Sequence, residues 1–357
     1  MTPFARSTRP LATGRGTART ARLTTCALAM AACIPGIALA SRSGVAAAAV
    51  PGVPGIVDIN TNLGYEQAAA AGTGMVLTSS GEILTNNHVI RGATTIRVTD
   101  IDNGNTYAAT VVGYNVAADI AVLQLKNASG LQTAPLGNSA TTKVGDPVTA
   151  IGNAGGVGGT PSALTGVITH LHQSITASDG GSNPEQLSGL IETNAPLQPG
   201  DSGGPLVDQA GQVIGMDTAA SASFAFQSQS SQGFSIPINH ATSVAHQIET
   251  KVAAVNIHIG PTPFLGVDVQ PSSSFPGQAP STGLIIAGVV QGSPIERAGL
   301  KVGDVIGAVD GHTITSPATL TSLLITKSPG TTVKLVWVDQ TGTHHSSTLR
   351  LASGPPQ

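Results

Sequence analysis

Three short stretches carry residue types that can act together in acyl transfer. "LTNNHVI" holds His88, "AADIAVLQL" holds Asp119 and "LQPGDSGGPLV" holds Ser202. A serine hydroxyl becomes a good nucleophile when a base of near-neutral pKa takes its proton and a carboxylate holds that base in the right tautomer. His88, Asp119 and Ser202 supply one of each. Gly200 adds a peptide that can turn its N–H inward without a Cβ clash, so the N–H groups of Gly200 and Ser202 are the candidate donors to a developing oxyanion.

Residues 114 positions apart act together only if the fold converges them, so the elements matter next. The chain has 357 residues, of which 40% are hydrophobic and 10% charged, with 44 glycines but only six Phe, three Tyr and one Trp. Cores must be built from Val, Ile, Leu and Ala, and the composition reads as a turn-rich, β-leaning protein of two to three domains. "GTGMVLTSSGEILTNNH", "TTIRVTD", "TYAATVVGY" and "DIAVLQL" form one series of short strands, with His88 ending one strand and Asp119 starting another. A second series runs from near Lys143 to "GFSIPI" and carries Ser202 in a tight turn. Two consecutive units of this kind predict paired β-barrels with a cleft at their seam.

Ala241, Val244, Ala245 and Ile248 then recur at helical spacing, with Asn239 placed to cap the helix. Gly260, Pro261 and Pro263 mark a boundary near residue 256, beyond which about a hundred residues form a further domain. The expected organisation is an export segment over 1–40, a linker over 41–54, a double-barrel domain with its closing helix over 55–254 and a C-terminal domain over 256–354.

The chain start predicts the compartment. Six arginines precede the first acidic residue, Asp58, which leaves 10 of the 16 basic residues against 19 acidic ones. A body that acidic repels phosphate backbones, so nucleic acid is not an expected partner. Arginines, an apolar stretch from Leu23 to Ala40 and a terminal "ALA" predict a cleaved export signal, with an uncut membrane anchor as the alternative. "MAAC" at Met30–Cys33 resembles a lipoprotein box, although the apolar "IPGIALA" after it is odd for a lipid-modified terminus. Both cysteines, Cys26 and Cys33, lie in this segment, so the mature chain is expected to hold no disulfide.

The motifs "TNNHVI", "DIAVL" and "GDSGGP", in the order His, Asp, Ser and followed by a C-terminal module, resemble the HtrA/DegP branch of trypsin-like serine proteases. Within it they are similar to the secreted PepA-type enzymes of mycobacteria and related actinobacteria. The resemblance implies a mostly β fold, a chymotrypsin-like double β-barrel followed by a PDZ domain. It implies a serine endopeptidase of envelope quality control acting on unfolded or exposed segments. A peptide-binding chaperone with a vestigial site is the alternative. Leu197 and Ala220 are implied S1-pocket residues favouring small or medium aliphatic side chains. Pro196 stands where trypsins selecting basic residues carry aspartate.

"FLGVDV" and "GSPIERAGLKVGDVIGAVDGHTI" resemble a bacterial PDZ domain. In such a domain an exposed strand accepts a peptide, Phe264, Leu265, Gly266 and Val267 form the carboxylate-binding loop, and the segment Leu320–Leu324 makes the apolar wall. Polypeptide substrates and peptide C-termini are the implied partners, and a homotrimer is an expectation of the family alone.

Two features stand apart from the family pattern. Asp201 occupies a place where many members have asparagine, and in digestive trypsins an aspartate here is locked by a new terminal amine. "GIVD" at Gly55–Asp58 resembles such a terminus but reads as the first strand, because no basic activation site precedes it. The "GYEQAAAAG" loop is short, which argues against loop-locked cages. His170 and His172 lie two apart on one strand with no third ligand nearby, His240 and His246 belong to the closing helix, and His344 and His345 to a polar hairpin. No metal or other cofactor is expected.

Overall fold

The computed structural model describes residues 52–177, 185–218, 232–252, 256–272 and 283–357. The export segment, its cysteines and Ala220 lie outside them. Barrel one consists of β1 (Ile56–Leu63), β2 (Ala68–Val76), β3 (Glu82–Thr85), β4 (Thr95–Asp100), β5 (Thr106–Asn115) and β6 (Ile120–Leu125). Its order is β5-β4-β1-β2-β3-β6, and pairing of β5 with β6 closes the ring. Ile56, Val57 and Asp58 of "GIVD" open β1, and Gly55 precedes it. In β4, Ile96 and Val98 point inward while Thr95 and Arg97 face out, the alternation that a half-buried strand requires.

Barrel two is closed in the order β10-β11-β12-β9-β8-β7. Its strands are β7 (Pro147–Gly152), β8 (Ser162–Ala177), β9 (Glu185–Thr193), β10 (Pro205–Val207), β11 (Val213–Thr218) and β12 (Gly233–Pro237). One apolar cluster spans both barrels: Ile56, Met75 and Leu84 from the first pack with Val207, Met216 and Phe234 from the second. The helix α2 (Ile238–Glu249) adds Ala241, Val244, Ala245 and Ile248 to that cluster, the stripe read from the sequence. Its N-cap is Pro237 rather than Asn239. Asn239 lies within the first turn, where its amide donates to Asn138 Oδ1 at 2.7 Å and accepts from Ser139 N–H, tying the helix start to the 138–139 turn instead.

The expected boundary at 256 shifts by a few residues. β13 (Ile257–Ile259) pairs with β5 and extends barrel one, because its backbone finds partners at Gly113–Asn115. The C-terminal domain follows, with β14 (Thr262–Phe264), β15 (Val267–Pro271), β16 (Leu284–Val289), β17 (Val305–Val309), β18 (His312–Thr313), β19 (Thr332–Val338), β20 (His344–Arg350) and β21 (Ala352–Gly354). Its helices are α3 (Pro294–Arg297) and α4 (Pro317–Ile325). Leu284, Ile286, Ile306, Leu335 and Trp337 belong to a core of its own.

Candidate active site

His88 does not end a strand. It sits on α1 (Asn87–Ile90), a single helical turn after β3. Its Nδ1 is 2.8 Å from Asp119 Oδ2, and its backbone N–H donates to Asp119 Oδ1 at 2.9 Å. Asp119 is buried and precedes β6 with a φ of 54°, a left-handed conformation that aspartate tolerates better than most side chains. The Asn86 amide holds it there by donating to the Asp119 carbonyl at 3.0 Å. A further ligand of the carboxylate comes from barrel two: Thr218 Oγ1 donates to Asp119 Oδ2 at 3.1 Å.

Ser202 is buried in the turn before β10, and barrel one holds that turn. Thr73 N–H donates to the Ser202 carbonyl at 2.8 Å and Thr73 Oγ1 donates to the Gly200 carbonyl at 2.7 Å. The same hydroxyl accepts from Asn153 N–H at 2.8 Å. Gly72 is the spacer between the two halves of the site: a Cβ there would lie 2.7 Å from Val89, next to His88, and 3.2 Å from the Ser202 carbonyl. The structure therefore brings the His88 turn, Asp119 and the Ser202 turn to one seam.

The 199–200 peptide has a defined direction. Gly155 N–H donates to the Pro199 carbonyl at 2.7 Å, and in a trans peptide the N–H opposes the C=O, so the Gly200 N–H points away from Gly155. Gly200 has φ 102°, and a Cβ there would collide with the Asn153 carbonyl, which explains the glycine.

Asp201 needs no terminal amine. Its carboxylate accepts from Gln198 N–H at 2.8 Å and from Ser162 Oγ at 3.2 Å. Burial pushes its pKa up, and those two hydrogen bonds pull it down. Asp217, wholly buried on β11, is pushed well above the ordinary value by burial, with the Asp201 charge adding to the rise and a 2.7 Å bond from Ser235 Oγ opposing it. Its Oδ2 has no hydrogen-bond partner.

Leu197 is half-buried against the barrel-two core, over Gly233, where any side chain would strike it. In the C-terminal domain Phe264, Leu265, Gly266 and Val267 line a groove of about 110 Å3 together with Leu320 and Leu324. Ile295 N–H donates to the Leu265 carbonyl at 3.1 Å, so the Gly266 N–H of that peptide faces the other way. Gly266 has φ 82°, and a Cβ there would run into Ser293.

The remaining histidines lie elsewhere. His170 pairs with Glu192 at 3.2 Å, and His345 with Asp339 at 2.7 Å. Among the described residues no group of three or more His, Cys, Asp or Glu side chains is arranged to hold a metal ion. Thr73, Asn153, Gly155, Ser162 and Thr218 were not singled out from the sequence. They act through hydroxyls and backbone groups that no spacing announces.

Comparison with known proteins agrees with this architecture. The trypsin-like peptidase domain family matches residues 72–216, and the PDZ domain family matches residues 263–338. Serine protease PepD of Mycobacterium tuberculosis is 32% identical over 306 residues, covering 81% of this chain and 62% of PepD. The periplasmic pH-dependent serine endoprotease DegQ of Escherichia coli is 34% identical over 269 residues, covering 74% of this chain and 55% of DegQ. Chloroplastic Protease Do-like 1 of Arabidopsis thaliana is 33% identical over 293 residues, covering 76% of this chain and 63% of the relative. This chain thus spans about six tenths of the length of such relatives. With both domains and both motif sets in place, the chain joins a trypsin-like peptidase domain to a PDZ domain and is a homologue of the HtrA/DegP/PepD serine proteases.

Proposed function

We propose that the protein is a serine endopeptidase that hydrolyses exposed or unfolded polypeptide segments through His88, Asp119 and Ser202. The observation that carries this reading is the 2.8 Å contact from His88 Nδ1 to Asp119 Oδ2 beside a nucleophile turn clamped by barrel one. A carboxylate accepts only, so Nδ1 carries the ring proton of neutral His88 and Nε2 offers its lone pair as base. Ser202 Oγ attacks the scissile carbonyl carbon as its proton moves to Nε2, and the carbonyl π electrons pass to oxygen. The imidazolium, steadied by Asp119, then gives that proton to the leaving amine as the C–N bond breaks. Water repeats the sequence on the acyl-enzyme and frees Ser202.

Gly200 and Ser202 N–H groups stabilise the oxyanion, each worth about 3 to 4 kcal/mol of barrier. Leu197, half-buried over Gly233, is read as an S1 wall, and an apolar wall suits aliphatic P1 residues. The PDZ groove takes a peptide C-terminus, its carboxylate on the 264–267 loop and its terminal side chain between Leu320 and Leu324. An extracytoplasmic place of action fits the periplasmic relatives and the arginine-led apolar start of the chain. No helix among the described residues is long and apolar enough to cross a membrane.

A fluorophosphonate probe is expected to label the protein and casein to be cleaved, with both signals lost in Ser202→Ala. Casein cleavage that survives the substitution overturns the assignment.

A further inference from the structure

The structure assigns a positioning role to Pro355–Gln357: we propose that this segment is a strap that holds the His88 turn from the PDZ side. The inference rests on the reading of His88 as the catalytic base. It begins with the weakness of α1, four residues long, whose N-cap Asn86 makes no side-chain capping bond. One helical turn gains too few hydrogen bonds to offset the entropy of fixing it, so its geometry depends on outside contacts.

Two such contacts come from Asp119, at His88 N–H and Asn86. Two more come from the strap. β21 pairs with β14 in the C-terminal domain, and the chain then runs through buried Pro355 and Pro356 to the barrel-one surface. There the Asn87 amide donates to the Gln357 carbonyl oxygen at 2.9 Å, and Gly92 N–H donates to the Pro356 carbonyl at 2.9 Å. Gln357 N–H donates to Tyr114 Oη at 3.3 Å, and Tyr114 Oη lies 3.1 Å from Thr262 Oγ1. Residues 87 and 92 bracket His88, so the strap grips its turn at both ends. The bonds use carbonyls of the strap, and the consecutive prolines stiffen the segment that presents them.

Activity requires the imidazole within fractions of an ångström of its working position. Deletion of residues 355–357 is expected to lower kcat and the fluorophosphonate labelling rate about 5- to 30-fold with KM changed less than about 2-fold, the split expected when binding is untouched. Asn87→Ala should reproduce part of the loss and add little to the deletion, because both remove the same bond. Hydrogen exchange gives a readout independent of activity: the Gly92 amide and its neighbours in α1 should exchange faster in the deletion variant. Unchanged exchange at 88–92, or full activity in both variants, overturns the proposal. If the full chain neither labels nor cleaves, the protease reading fails while the exchange measurement still decides whether the strap holds the turn.

Discussion

The second carboxylate behind the nucleophile, Asp217, makes a prediction at the scale of one residue. Burial raises its pKa in the folded chain above the ordinary 3.8. The folded state then binds this proton more tightly than the unfolded state. Its contribution to stability is complete below 3.8 and is lost as pH rises through the folded value. Asp217→Asn removes that dependence but keeps an acceptor for Ser235. The variant should therefore gain stability relative to wild type on going from about pH 4 to about pH 8. Urea melts at the two pH values measure it, and a constant difference between the proteins refutes it. His88, Asp119 and Ser202 were legible because each sits in a short motif whose chemistry names it. Thr218 was not, since a threonine 99 positions from its aspartate looks like any strand residue until the barrels dock.

Elements were legible where burial has a period. Strands such as β4 alternate inward Ile96 and Val98 with outward Thr95 and Arg97, and α2 buries the predicted stripe. Short, externally held pieces escaped: α1 gives no periodic signal in four residues, and β13 is a three-residue strand that joins a barrel by pairing with β5, packing Ile257 and burying His258. The tight turn at Ser202 was legible, but the hold that β2 of the other barrel has on it was not. Thr73→Val keeps the volume but deletes the hydroxyl, leaving the Gly200 carbonyl and Asn153 N–H without this partner. We expect kcat/KM to fall by about 10- to 100-fold, as for weakened oxyanion donation, with the circular dichroism spectrum unchanged. A variant that retains wild-type kcat/KM would show that the turn holds its shape without Thr73.

At the scale of the whole molecule, the two barrels share one apolar cluster, whereas the C-terminal domain has its own. Shared burial makes the barrels one cooperative unit. Calorimetry is expected to resolve two transitions, and a peptide ending in an apolar residue should raise only one of them, since a ligand stabilises the unit that binds it. A single transition obeying two-state criteria contradicts this division. The turn residues after position 256 led to the expectation of a separate C-terminal domain, but contacts across that boundary could not be read, because Asn87 and Gln357 lie 270 positions apart.

The dependence of the serine turn on Thr73 also has a consequence for the timing of synthesis. Barrel one is made first, and its Thr73 bonds the Gly200 and Ser202 carbonyls, so a fragment that lacks residue 73 would carry the serine turn without these two restraints.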